Sequence, residues 1–354
     1  VAVSNHHAGD RVLRAQYRLT DRDLTLLGWL ADHDVLTTDQ IAHALYPSLG
    51  FAQRRLMKLT QAGVVERFRP HRWDGGSYPF HYVLDQLGVD VVAAQRAEDQ
   101  LPRRDQARRR RWWLTSRANL PHRLAVNQFF IDLAGHARTH PDTALERWWS
   151  SARCQQNGVF AALDGTTDLR IWTATIAADG HGVWTRTSSA AAVGHGVTGA
   201  VPVIVRVPFF VEVDLGTEDL PRLVGKLAAY STWSERTGRV WPVLFWLPSA
   251  IRERHLHDRL ATTSTGVPVA TAVRPNTTTR DRRNAAHGRH DTPEDDPREQ
   301  DDRRIPTVAD GGPAARVWWL HHTRHWLPAH PLGAGRLTLT DLADTVTDHP
   351  DLPP

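Results

Sequence analysis

Two carboxylates, Glu212 and Asp214, stand two residues apart in the apolar run FFVEVDLGTEDLPRLVGKLAAY at 209–230. Side chains two apart in an extended chain project to the same side, so the spacing pairs these charges beside Phe210, Val211 and Val213. Like charges so placed repel, and solvent, arginine partners or a divalent cation must accommodate them. Asp179 closes the apolar part of IAADGHGVW just before a glycine-flanked turn, where a strand end exposes a carboxylate. Lys226 falls on the helix expected after the second strand, and Lys58 is the only other lysine in the chain. An Asp, a carboxylate pair and a lysine together describe a metal site for phosphodiester cleavage. Asp179, Glu212 and Asp214 would hold Mg²⁺ or Mn²⁺, since magnesium takes hard oxygen ligands and keeps several waters. The metal would polarise the phosphate and generate hydroxide, and the Lys226 ammonium would offset charge building on the phosphoryl oxygens. Asp168, in TTDLRIW, is the second choice for the first Asp. The competing reading is a domain that binds DNA without cutting it, in which Glu212 and Asp214 pair with arginines such as Arg222.

Those residues need a sheet to carry them. From about 145 to 273 the sequence reads as strands broken by glycine-rich turns, the clearest being IWTATIAADGHGVW, VPVIVRVPFFVEVD and VWPVLFWLP. The last is a nearly unbroken apolar run, as in a strand covered on both faces. DLPRLVGKLAAYSTW between the second and third reads as a helix, so strand, helix and strand alternate in a mixed α/β domain.

Residues 19–97 have a different pattern. TDRDLTLLGWLADHD begins at a capping Thr20 and repeats apolar residues at Leu24, Leu27, Leu30 and Ala31, a helical period. TTDQIAHALYP is capped by Thr37 or Thr38 and stops at Pro47, and GFAQRRLMKLTQAG forms a third helix closed by Gly63. VVERFRP and YPFHYVLD are β-like runs around the turn HRWDGGS. Three short helices and a hairpin predict a winged helix. Ala52, Leu56 and Leu59 share one face of the third helix, while Arg54, Met57, Lys58 and Gln61, with Gln53 beside them, form the other. That second face suits a major groove, with Arg67, Arg69, His71 and Arg72 of the hairpin near phosphates. A solvated face in a protein-binding winged helix is the alternative.

Residues 98–118 read as a basic linker, LPRRDQARRRRWWLTSR, in which Arg108, Arg109, Arg110 and Arg111 precede Trp112 and Trp113. Arginine interleaved with tryptophan can hold phosphates and stack on bases. A long helix from about residue 118 opens the second domain, 119–274. Within residues 275–316 the run RDRRNAAHGRHDTPEDDPREQDDRR holds almost no apolar side chain and mixes both charges, which predicts a flexible insertion. Residues 317–354, starting from VWWLHHTRHWL, are expected to pack back on the second domain. His321, His322 and His325 include an i, i+4 pair, but no third zinc ligand accompanies them.

Composition narrows the classes. The chain has 354 residues, 41% hydrophobic content, 14 Trp and a formal charge of +4, which supports packed cores rather than disorder. Its basic side is almost wholly arginine, the side chain suited to bidentate phosphate contacts. One cysteine, Cys154, excludes an internal disulfide framework and fits a reducing cytoplasm. No apolar run is long enough to span a bilayer, so a membrane role is not expected.

LTDRDLTLLGWLADHDVLTTDQIAHALYP, RRLMKLTQAGVVERFRP and VPFFVEVDLGTEDLPRLVGKLAAY resemble the replication-relaxation family of plasmid and integrative-element proteins in high-GC bacteria, over roughly residues 19–260. That resemblance implies kinship with MobC-type relaxases, whose catalytic domain has the PD-(D/E)XK restriction-endonuclease fold behind a DNA-binding winged helix. It implies that Asp179 takes the place of the motif's first Asp and Glu212 that of its acidic residue. It implies further that Asp214 stands where many nucleases carry Lys and that Lys226 takes over that role from the helix. The sequence departs from the pattern at Ala178, where Pro is common, in the long separation of Asp179 from Glu212, and in the SSARC that follows Trp149. The resemblance implies a metal-dependent DNA nickase or relaxase of plasmid replication or conjugal transfer, with DNA and other transfer or replication proteins as partners. A DNA-binding accessory protein of a mobile element is the non-enzymatic alternative.

Overall fold

The computed structural model describes residues 10–70, 78–98, 102–103, 105–115, 119–191, 200–275, 312–321 and 335–345. The chain divides into two compact units, Val1–Ile131 and Asp132–Pro354.

The first unit runs α1 (Asp21–His33), β1 (Leu36–Thr37), α2 (Thr38–Leu45), α3 (Leu49–Gln61), β2 (Val65–Phe68), β3 (His81–Leu84), α4 (Gln86–Gln95) and α5 (Gln106–Thr115), ending within α6 (Leu120–Thr139). Local chemistry sets the helix starts. The Thr20 hydroxyl accepts from the Asp23 backbone N–H while the Asp23 carboxylate accepts from the Thr20 N–H, and Thr37 and Gln40 repeat that exchange before α2. Ser48 caps α3. Each such cap is worth about 1 kcal/mol. After α3 the chain turns at Gly63, whose φ of 70° lies in the left-handed region that favours glycine.

The three strands form an antiparallel sheet in the order β1-β3-β2. Leu26, Leu27 and Leu30 of α1, Ile41 of α2, and Ala52, Leu56 and Leu59 of α3 are buried with Tyr82 and Val83 of β3. On α1 the inward stripe runs through Leu26 rather than Leu24, which is half-buried. The cause is Asp23, which is turned inward to receive Arg55 from α3. Close packing also fixes α4: a Cβ on Gly88 would lie 2.1 Å from the Val64 carbonyl oxygen. Residues 71–77, including His71 and Arg72, fall outside the described residues, as do His322, His325 and nearly all of the 275–316 segment.

The second unit is built on a six-stranded mixed sheet: β4 (Thr143–Ser150), β5 (Gly180–Ala191), β6 (Ala200–Val213), β7 (Val243–Leu247), β8 (Val269–Val273) and β9 (Trp319–His321), adjacent in chain order. β4, β5 and β6 are antiparallel neighbours, β6, β7 and β8 run parallel, and β9 is antiparallel to β8. Short helices α7 (Ser151–Cys154) and α8 (Leu169–Trp172) lie between β4 and β5. α9 (Leu220–Gly225) and α10 (Leu227–Thr237) connect β6 to β7, and α11 (Ala250–Leu260) connects β7 to β8. Every residue of β7 is buried, as its apolar run demands. Leu223, Leu227, Tyr230 and Trp233 of α9 and α10, with Leu256 and Leu260 of α11, share one core with Phe210, Phe245 and Val269.

One expected strand is corrected. IWTATIAADGHGVW does not extend from Ile171: Leu169–Trp172 is helical and β5 begins only at Gly180. Gly180 and Gly182 are not a turn but strand residues, paired with Val211 and Phe209 of β6 on one side and with Ser150 and Trp148 of β4 on the other. Pairing on both edges overrides the local turn preference of glycine. Asp179 therefore stands at the start of a central strand, not at its end.

Candidate functional site

In the first unit, α3 sorts its side chains by charge and partner. Arg55 faces inward, its Nε donating to Asp23 Oδ1 at 2.9 Å while a second nitrogen pairs with Oδ2 of the same carboxylate. Gln53, Arg54, Met57, Lys58 and Gln61 are exposed on the opposite face. Arg54 lies over the Phe51 ring, 4.8 Å from its centroid, and neither Arg54 nor Lys58 forms an ion pair among the described residues. Arg67 and Arg69, both exposed, lie over the Phe80 ring at 4.1 and 3.9 Å from its centroid. Phe80 thus orders two guanidinium groups beside the sheet without neutralising them.

The four consecutive arginines separate by role. Arg110 pairs with the buried Asp34, which Arg123 also grips, and Arg111 pairs with Glu66. Arg109 meets Asp105 in an exposed i, i+4 pair at 2.5 Å. Arg108 alone of the four forms no ion pair among the described residues. Trp113 packs with Val35, Val83 and Leu114, whereas Trp112 is 70% exposed.

In the second unit, the register of β5 on β6 brings Asp179 next to Glu212. Asp179 Oδ2 accepts from the Val213 backbone N–H at 2.8 Å. Glu212, 2% exposed, receives Lys226 Nζ at 3.0 Å on one oxygen and the Tyr230 hydroxyl on the other. Lys226, at the α9–α10 junction, also reaches Glu218 at 2.9 Å. Asp214 is drawn elsewhere: one oxygen accepts from the Gly216 backbone N–H at 2.7 Å and the other pairs with Arg252 of α11. Arg222 is spent on Glu218, and Asp168 caps α8 and pairs with Arg170.

Burial and the neighbouring Asp179 charge push the Glu212 carboxyl up to about 7, against the opposing pull of Lys226 and Tyr230. Burial disfavours the Lys226 ammonium, but Glu212 and Glu218 outweigh it and its pKa is raised. Burial first, then the Glu212 charge, raise the Tyr230 phenol well above its ordinary value. A fully buried phenol of that kind packs and donates a hydrogen bond; it is not an exposed nucleophile.

Asp179, Glu212 and Lys226 are thus brought together, and Asp214 is not with them. Among the described residues no group of three or more His, Cys, Asp and Glu could hold a metal ion. The arrangement does not fit a three-carboxylate cation site. Two carboxylates, Asp179 and Glu212, do share one place, which is within what magnesium uses when substrate phosphate completes its shell. His321 lies 5.6 Å from His257 by ring centroids, beside Trp319.

Glu218, Arg252 and the hydrogen bond from Tyr230 completed these networks without being foreseen. Tyr230 was legible, since it stands four residues after Lys226 on one helical face. Arg252 had no local signal, because its partner lies on another element.

The chain is a mixed α/β protein with a basic helix face in one unit and a buried acid–lysine cluster in the other. The model of the replication-relaxation family matches residues 27–244. That span is more than half of the chain, and the chain belongs to the replication-relaxation family, whose role lies in replication or relaxation of mobile elements. No curated protein and no solved structure matches it. Among the described residues no helix is long and apolar enough to cross a membrane.

Proposed function

We propose that this chain binds duplex DNA through its first unit, read as a winged helix whose α3 enters the major groove, and that it does so in replication or relaxation of a mobile element. The observation that carries this reading is the sorting on α3. Its one inward arginine is neutralised by Asp23, while Arg54 and Lys58 face solvent and form no ion pair among the described residues. Charges held away from acids on a rigid helix are free to displace counterions from phosphate. Gln53 and Gln61 beside them offer donors and acceptors to base edges. Arg67, Arg69 and Arg108 are exposed too and would add positive charge to the same unit. A mobility shift with duplex DNA in chelator tests the reading: retarded DNA at low salt supports it, and free DNA throughout overturns it.

A second reading is favoured by the grouping of Asp179, Glu212 and Lys226. In it the second unit is a restriction-endonuclease-like nickase in which Asp179 and Glu212 hold Mg²⁺ or Mn²⁺ against the substrate phosphate. The metal would supply Lewis-acid polarisation, and Lys226 would balance negative charge at Glu212. Asp214, held by Arg252 and Gly216, stays outside that ligand set. Relaxation of supercoiled plasmid in Mg²⁺ or Mn²⁺, lost in chelator and in Glu212→Gln, supports this reading; unchanged supercoiled plasmid contradicts it.

A further inference from the structure

Beside α3 the first unit contains an open groove of about 460 Å³ lined by Arg11, Arg14, Arg18, Arg55 and Lys58 over a floor that includes Leu59. Among the described residues no acidic side chain lines it. We infer that this groove seats a stretch of duplex phosphate backbone, so that the segment before α1 acts as a second arm of the DNA interface; the inference rests on the DNA-binding reading above.

Residues 10–16 are helical, with Arg11 and Arg14 at i and i+3 on one face and Arg18 in the turn that follows, and all three are exposed and line the groove. Little opposes their charge. Arg14 meets Asp10 only at 4.0 Å, with both side chains more than 60% exposed, and a pair of that kind contributes almost nothing. Arg55 is spent on Asp23. Arg11, Arg18 and Lys58 form no ion pair among the described residues. Cations converging on one concavity repel one another unless an anion is shared between them, and the concavity focuses their field on that anion.

The shape and chemistry indicate which anion. Guanidinium groups match phosphate oxygens bidentately. These donors are spread along an open groove and exposed, which suits a run of phosphates rather than a single small anion. Lys58 belongs both to the groove and to the outer face of α3, one turn from Arg54, so the groove continues the surface proposed to meet DNA. Phosphate contacts made here would position α3 without reading sequence.

The test is a salt titration of anisotropy on a short mixed-sequence duplex with the parent, with Arg11→Ala/Arg14→Ala/Arg18→Ala, and with the same three residues changed to Lys. Each lost phosphate contact removes about 0.9 from the log–log salt slope, so the alanine variant should lose up to about 2.7. Between about 50 and 200 mM salt it should then weaken about 40-fold less than the parent, with the slope kept in the lysine variant. An unchanged slope in the alanine variant, or an equal drop in both variants, overturns the inference while leaving the DNA-binding reading intact. An unchanged DNA slope together with lost binding of a polyglutamate peptide also overturns it, assigning the groove to an acidic protein partner. A parent that binds no duplex sinks the DNA-binding reading and this inference with it.

Discussion

The two units treat charge in opposite ways. On α3 the cations Arg54 and Lys58 face solvent, and the charged side chains lining the groove beside them are, among the described residues, all cationic. In the second unit Glu212 and Asp214 are buried, and each carboxylate oxygen has a donor: Tyr230 and Lys226 for one, Gly216 and Arg252 for the other. Unopposed surface charge costs the fold little and remains available to a ligand. Buried charge has to be satisfied internally, so its first duty is to the fold. Charge in a motif therefore means different things in the two units, and the difference can be broken by mutation.

The largest effect is expected at Arg252. Arg252→Met strips the pair from Asp214, whose side chain is 1% exposed, and loss of one partner from a buried pair costs about 3–5 kcal/mol. Urea unfolding should show that loss, and a change below about 1 kcal/mol would mean that Asp214 is not held as described.

Next comes the pH dependence set by Glu212. Folding raises its carboxyl from 4.5 to about 7, so the folded chain keeps a proton that the unfolded chain releases. The associated stability is fully present below about pH 4.5 and is lost as pH rises towards 7, on the order of 3 kcal/mol. Glu212→Gln should remove this part of the profile and be at least as stable as the parent at neutral pH. Parallel stability–pH curves for the two proteins would refute the buried, proton-holding carboxyl.

A smaller contrast separates the neighbouring arginines. Arg110→Ala withdraws one of two cations from the buried Asp34 and should cost about 1–2 kcal/mol. Arg108→Ala should stay within about 0.5 kcal/mol. Equal melting shifts would erase the distinction between an arginine that anchors α5 and one left open to solvent.

The smallest stability effect is expected on α3 itself. Arg54→Ala/Lys58→Ala should change stability by no more than about 0.5 kcal/mol, although both residues are central to the proposed interface. Substantial destabilisation would show that these side chains support the fold.

Much of this contrast was legible from local pattern. Ala52, Leu56 and Leu59 on one face of α3 and Gln53, Arg54, Lys58 and Gln61 on the other follow from helical period alone, as do the caps at Thr20 and Thr37. The buried β7 followed from its unbroken apolar run. Local pattern failed where distant elements decide. Gly180 and Gly182 read as a turn because their role in a central strand depends on β4 and β6. Glu212 and Asp214 read as one ligand pair because a period of two places them together. Asp214 lies just past the end of β6, where the turn at Gly216 and the approach of Arg252 redirect it. Arg110 and Arg111 read as an open basic run because Asp34 and Glu66, which claim them, lie far away in sequence.

The central claim is that DNA affinity resides in the unopposed cations of the first unit and not in the buried acid–lysine cluster of the second. Its most direct test is the salt dependence of duplex binding, read by anisotropy in chelator, for the parent, Arg54→Ala/Lys58→Ala and Glu212→Gln. The account predicts that the first variant loses about 1.8 from the log–log slope and binds more weakly, while Glu212→Gln keeps the parent's slope and affinity. A parent slope retained by Arg54→Ala/Lys58→Ala, or lost in Glu212→Gln, would contradict it.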